Sequence, residues 1–252
     1  MGGPPGAEGI LIVARFHVPD AAPGGRIALP EHSAHHARDV LRLRAGTAIR
    51  VFDGRGAEYD AVLETVTRHD VSGRITGATA PRPESPLRAI LAMSPLKGDR
   101  MELAIQKATE LGVAEIRPVV TARTDAAARP ALKGARQDRW EKVASGAAEQ
   151  CGRATVPGIA PTATLAEFMA DPPAGTRLVL LERNEGQPAL ASLPRPDAVT
   201  VLIGPAGGWE PSEILRLAEA GFQPVSLGPR ILRAETAAIA ALTAVQVLWG
   251  DL

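Results

Sequence analysis

The rhythm of the chain changes near Pro81, and that change constrains the fold more than any other feature. Before it, short β-type runs recur at 10–18, 48–52, 59–66 and 71–76, separated by turn signals such as Pro23-Gly24-Gly25 and Asp53-Gly54. One helical stretch, 33–43, interrupts them. Strands at this spacing predict a small β-barrel over residues 1–80, with 1–9 as a flexible Gly/Pro-rich tail. The Pro-rich stretch 81–87 reads as a linker. Beyond it, strands at 88–93, 115–120, 178–182, 199–203 and 224–227 alternate with helices at 99–111, 136–151, 212–220 and 235–249. Gly112 and Gly221 stand where two of those helices should stop. Such alternation predicts an α/β domain over 88–252 with a mainly parallel sheet.

Charge narrows the function. The chain carries 28 Lys+Arg and 28 Asp+Glu, so it is not a polycation that coats nucleic acid indiscriminately. The balance is uneven along the chain: ten basic against ten acidic in 1–85, twelve against eight in 86–160, and six against ten in 161–252. One basic cluster comprises Arg117, Arg123, Arg129, Lys133, Arg136, Arg139 and Lys142, and a second comprises Arg38, Arg42, Arg44, Arg50 and Arg55. Either alone reads equally as a solvated face, whereas two favour a polyanion held in a groove between domains. Apolar stretches fall short of the roughly 18 residues a bilayer span needs, and no secretory signal is visible, so the expected location is cytoplasmic. A single cysteine, Cys151, makes neither an internal disulfide nor a zinc site, and no metal is expected. Eight aromatic residues are too few for a surface that binds single strands mainly by stacking.

Two loops near the carboxyl terminus carry the strongest chemical signal. The run 199–203 leads into Gly204-Pro205-Ala206-Gly207-Gly208, and the run 225–227 into Gly228-Pro229-Arg230-Ile231-Leu232-Arg233. Open α/β sheets place ligands at the carboxyl ends of strands, and glycine lets the backbone approach them closely. A phosphate-binding loop is excluded because no Gly-Lys-Ser/Thr follows, and the dinucleotide fingerprint fails on spacing. The structural alternative is two tight strand-to-helix turns.

The ordered motifs resemble one family closely. They are Arg15-Phe16-His17-Val18-Pro19, His35-His36, Val40-Leu41-Arg42-Leu43-Arg44 and Phe52-Asp53-Gly54, then Gln106-Lys107-Ala108-Thr109-Glu110-Leu111-Gly112 and Glu149-Gln150-Cys151-Gly152-Arg153, and finally the two glycine loops with Trp209, Glu235 and Thr236. By these the chain resembles the ribosomal RNA small subunit methyltransferase E family, members of the SPOUT superfamily of knotted methyltransferases. The resemblance implies a PUA-like RNA-binding barrel and a SPOUT-type α/β domain with a C-terminal trefoil knot. It further implies S-adenosyl-L-methionine as donor, a homodimer, and methylation of N3 of a uridine in the 16S rRNA of the 30S subunit. The implied donor site takes Leu181, Glu182, Ile203, Gly204, Pro205, Gly207, Gly208, Leu227, Gly228, Ile231, Leu232 and Thr236. One departure is Ala206, where the family usually carries Glu; Glu210 is the candidate replacement.

Uridine N3 carries a proton with a pKa of about 9, so the site needs a base or a cation near the donor. Arg233 and Glu235, directly after the last loop, are the expected catalytic pair, although Glu235 reads equally as a helix-start carboxylate. The expected RNA contacts are Arg15, Arg38, Arg42, Arg44, Lys107, Arg123, Arg153 and Arg230. Lys107 and Glu110 read equally as an intrahelical pair. His35 and His36 point to barrel packing or RNA rather than metal, and Cys151 to a buried thiol rather than a nucleophile. Ala238, Ile239, Leu242, Val245 and Trp249 form one stripe on the last helix, either core or dimer seam. Two other functions compete: a non-catalytic RNA-binding assembly module, and a knotted enzyme acting on another RNA or on ribose 2′-OH.

Overall fold

A computed structural model describes residues 13–128, 136–182 and 189–252. The expected tail 1–9 and the basic residues Arg129, Lys133 and Arg183 lie outside the described residues. The chain divides into two compact units: the first runs to Arg82 and also takes Gly152–Thr155, and the second holds Pro83–Cys151 and Val156–Leu252.

The first unit is built on a five-stranded sheet from Arg15–His17 (β1), Arg26–Ala28 (β2), Ala48–Phe52 (β3), Glu58–Val66 (β4) and Val71–Thr79 (β5), in the order β1-β3-β4-β5-β2. Only β1 and β3 run parallel. Register shifts at Asp60/Ala61 and Leu63/Thr65 mark bulges between β4 and β5, which bend the sheet around its core. Ile49 and Val51 of β3 point into that core with Phe16, Leu63, Val71 and Ile75, while Ala48 is exposed and Arg50 half-buried between them, the period-two signature of a one-sided strand. Three residues, too short to show a period, made β2 invisible in the sequence. The expected single helix is two pieces, Glu31–His35 (α1) and a π-helical turn over His36–Val40. It ends at Arg42, the one described non-glycine residue with left-handed backbone (φ 53°).

Residues Gly152–Thr155, expected in the α/β domain, belong to the first unit for a specific reason. Thr155 bridges to Gly54 and Arg55, the Gly56 amide donates to the Ala154 carbonyl (3.1 Å), and Arg15 donates to the Arg153 carbonyl (3.2 Å).

The second unit is an α/β domain. Its strands are Arg88–Met93 (β6), Glu115–Val120 (β7), Gly158–Ile159 (β8), Ala163–Thr164 (β9), Thr176–Leu180 (β10), Ala198–Ile203 (β11) and Gln223–Val225 (β12). They follow the order β12-β10-β11-β6-β7-β8, with β9 on β7, and every described pairing is parallel. The helices are Arg100–Glu110 (α2), Gln137–Cys151 (α3), Leu165–Ala170 (α4), Pro211–Glu219 (α5) and Ala234–Trp249 (α6). In α2 the buried Met101, Ala104, Ile105 and Ala108 fall at i, i+3, i+4 and i+7, the face that packs on α3 and α6. Burying Met101 and Ile105 contributes about 1.5–3 kcal/mol each. On α6, Ala238, Leu242, Val245 and Trp249 lie in the core and Ile239 is half-buried, so four of the five stripe residues are ordinary packing. Four helices were legible from their apolar period; α4, only six residues long, was legible by neither length nor period. A Thr164–Glu167 capping box starts α4 and holds the Glu167 carboxyl below its usual range, chiefly through the Thr164 backbone amide.

Candidate active site

Strand order explains where the site lies. Because β12, β10, β11 and β6 are adjacent and parallel, the segments leaving their carboxyl ends must emerge side by side. Those segments enclose a cavity of about 340 Å³. Its wall comprises 180–182 after β10, 203–206 with Gly208 and Trp209 after β11, 227–228 and 230–234 after β12, Ala237 of α6, and Arg100 at the start of α2.

Local contacts hold the loops in register. The Leu181 amide donates to the Val225 carbonyl (2.9 Å), and the Gly208 amide closes a turn on the Pro205 carbonyl (2.9 Å). The Trp209 indole N–H donates to the Leu180 carbonyl (3.2 Å), tying the loop after β11 to the end of β10. The indole lies so close to Gly204 that a Cβ there would sit 2.7 Å from its ring, so only glycine fits. Gly208 and Gly228 have left-handed backbone (φ 71° and 96°), a second reason for glycine in both loops.

Of the donor-site residues expected from the sequence, Leu181, Glu182, Ile203, Gly204, Pro205, Gly208, Leu227, Gly228, Ile231 and Leu232 line this cavity. Gly207 and Thr236 do not. A Cβ on Gly207 would meet Arg123 at 3.1 Å, so that glycine makes room for a neighbouring side chain. Ala206 is on the wall, and Glu210 is not. Glu210 instead caps α5 together with Glu213 and approaches Arg123 at 3.9 Å, leaving Glu182 as the carboxylate on the cavity wall.

The two expected catalytic residues part company. Arg233 lines the cavity, and no hydrogen bond or ion pair engages its side chain among the described residues. Glu235 is buried in the first turn of α6, is absent from the wall, and its Oε2 has no hydrogen-bond partner among the described residues. Sequence reasoning missed Arg100, Leu180, Trp209, Ala234 and Ala237 as wall residues. Trp209 carried a signal, standing directly after Gly207-Gly208; Arg100 carried none, being one arginine at a helix start some eighty residues from the loops.

The expected RNA contacts divide similarly. Arg230 lines the cavity, and Arg123 lies beside the loop after β11, donating to the Gly207 carbonyl (3.3 Å). Lys107 pairs with Glu110 at 2.9 Å along α2. Arg15 is nearly buried, bonded to Glu58 (2.9 Å from Nε) and stacked over Phe52 at 4.8 Å. Arg38 bonds Asp39 and the Arg68 carbonyl; this guanidinium holds the Asp39 carboxyl below its usual range. Arg42 and Arg44 are exposed, and no carboxylate within 4 Å pairs with either among the described residues. The Arg153 carbonyl accepts from Arg15. His36 packs edge-on against Phe16 (6.2 Å), and His35 faces Asp39 (3.5 Å). Cys151 is half-buried at the end of α3, away from the cavity wall.

A parallel α/β unit with a loop-built cavity at its strand ends, joined to a small bent sheet, defines an RNA methyltransferase of the two-domain kind: the RNA methyltransferase domain family matches residues 83–246, and the RNA methyltransferase PUA domain family matches residues 29–76. Ribosomal RNA small subunit methyltransferase E of Synechocystis sp. is 32% identical, over 94% of this chain and 77% of that protein. Its counterpart from Mycobacterium tuberculosis is 32% identical over 94% and 93%. The crystal structure of the Neisseria gonorrhoeae methyltransferase E bound to S-adenosyl methionine superposes with TM-score 0.86 at 37% identity, covering 95% of this chain and 99% of that one. A putative Legionella pneumophila methyltransferase in complex with the same cofactor gives 0.89 at 35% identity, with the same coverage. The chain belongs to the ribosomal RNA small subunit methyltransferase E family.

Proposed function

We propose that the chain uses S-adenosylmethionine to methylate N3 of a uridine in 16S rRNA of the small ribosomal subunit, acting in the cytoplasm as a homodimer with a trefoil knot at its C-terminal end. The single observation that carries this reading is the cavity built at four adjacent strand ends. Its volume falls in the range of small-molecule sites. Apolar walls of Leu181, Ile203, Leu227, Ile231 and Leu232 suit a purine ring, and Glu182 suits ribose hydroxyls or an ammonium group. The missing side chain of Gly228 leaves open space beside its backbone on the wall, where a ligand can approach the main chain. When bound, the donor supplies an electrophilic methyl on a sulfonium.

This chain's residues must do the rest. N3 lies on the pairing edge, so the target base is unpaired or extruded before it reaches the cavity. Arg233 faces the cavity as a cation with no partner among the described residues and stabilises the uracil anion. Glu235, off the wall, serves the start of α6. Arg42 and Arg44, exposed and without a carboxylate partner among the described residues, bind RNA phosphates from the first unit, whereas Arg15 serves its fold.

Two measurements test the reading. Calorimetry gives micromolar donor binding to the wild type and at least tenfold weaker binding to Gly204→Ala, whose methyl would displace Trp209. Mass spectrometry of nucleosides from treated small subunits shows 3-methyluridine; ribose methylation, or no product at saturating donor, refutes it.

A further inference from the structure

The charges on the cavity wall do not match the donor. Among the described residues the wall carries Arg100, Arg230 and Arg233 against one carboxylate, Glu182. S-adenosylmethionine itself bears a net charge of +1, so the filled cavity still lacks anions. Arg100 is unlike its two companions: they stand in the loop after β12, while it starts α2 and is the one wall residue following β6. Its Nε donates to the Lys97 carbonyl (3.2 Å), which orients the guanidinium, and the Nη groups have no partner among the described residues. A cation fixed at one nitrogen and open at the others awaits an acceptor. The other half of the problem is the proton on N3, for which the described residues of the wall offer no base besides Glu182, since Glu235 is not on it.

We infer that Arg100 is a catalytic residue that, with Arg233, binds the uracil as its N3 anion, so that solvent rather than a protein carboxylate takes the proton. The N3–H proton leaves to water or hydroxide, and the negative charge spreads over O2, N3 and O4, where guanidinium N–H groups donate to it. The N3 electron pair then forms the bond to the methyl carbon as the sulfur keeps the pair of the breaking S–C bond. The magnitudes agree. Two guanidiniums, each about 6 Å away at an effective dielectric of about 40, favour the anion about tenfold each and roughly a hundredfold together. Ionisation then moves from about pH 9 in water to about pH 7, where solvent deprotonation suffices.

This inference rests on the N3 reading, and the test separates the two. Arg100→Gln and Arg100→Lys are compared with wild type by the pH dependence of kcat/KM on small-subunit RNA, and again on RNA made with the more acidic 5-fluorouridine. Donor affinity by calorimetry and thermal unfolding serve as readouts independent of activity. In wild type the rate rises through an ionisation near pH 7. In Arg100→Gln, where Arg233 remains, that limb moves up by about one pH unit, the rate at pH 7 falls roughly five- to tenfold, and 5-fluorouridine recovers most of the loss; Arg100→Lys keeps much of the rate. Donor affinity stays within about threefold. A loss uniform across pH and untouched by 5-fluorouridine, or no loss at all, overturns the inference and leaves the N3 reading standing. Absence of 3-methyluridine from the wild-type product overturns the N3 reading instead.

Discussion

The arginines of the first unit and those of the cavity illustrate two uses of one side chain. Arg15, Arg38, Arg50, Arg55 and Arg74 each lie within 4 Å of a carboxylate. Arg100, Arg230 and Arg233 have no carboxylate at that distance among the described residues. A guanidinium already matched by a carboxylate has little left for a ligand, whereas an unmatched one is held ready for an anion that arrives later. Arg42 and Arg44 show that the boundary is not one of domains, since both sit in the first unit and meet no carboxylate among the described residues. Pairing, not position along the chain, separates the structural cations from those proposed to meet a ligand.

The largest effect is expected where pairing is most buried. Glu58→Ala strands the Arg15 guanidinium, whose side chain is only 14% exposed, and should cost about 3–5 kcal/mol in urea denaturation. A cost below about 1 kcal/mol would place Arg15 among the ligand-binding cations and break the comparison. Arg233→Ala should do the reverse: turnover drops about 100- to 1000-fold while the unfolding midpoint shifts by less than about 0.5 kcal/mol. Arg42→Gly sharpens the contrast, because glycine relieves a left-handed arginine. Stability should rise by up to about 1 kcal/mol while RNA affinity, measured by filter binding, falls severalfold. The smallest effect concerns the exposed Arg38–Asp39 pair. Its guanidinium bond lowers the Asp39 pKa, so any stabilisation is complete above the ordinary carboxylate range and is lost as pH falls through the lowered value. In Arg38→Ala, an NMR titration should show the Asp39 carboxyl return toward its ordinary value with no measurable change in melting.

Much of the fold was legible because apolar period is a local property. The strands 48–52, 88–93 and 115–120 and four of the five helices of the second unit (α2, α3, α5 and α6) coincide with their expected spans to within a residue. The short elements β2, β8, β9 and α4 were not legible, since two to six residues carry no period and long-range pairing defines them. The glycine loops were legible as turns, and the family resemblance supplied the donor that solved relatives hold. What no local pattern could show was that Gly207 yields space to Arg123, that Glu210 caps a helix, and that Glu235 turns away from the wall.

By itself the sequence determined two units, a parallel α/β sheet and glycine loops at its strand ends, because periodicity, turn chemistry and backbone freedom act over a few residues. Only the tertiary structure decided which charges meet a partner. Whether an arginine is matched depends on carboxylates brought near by sheet order and strand crossing, as Glu58 is to Arg15 across 43 residues. The same long-range order carries Arg100 to a cavity whose other walls begin 80 residues later, at Leu180.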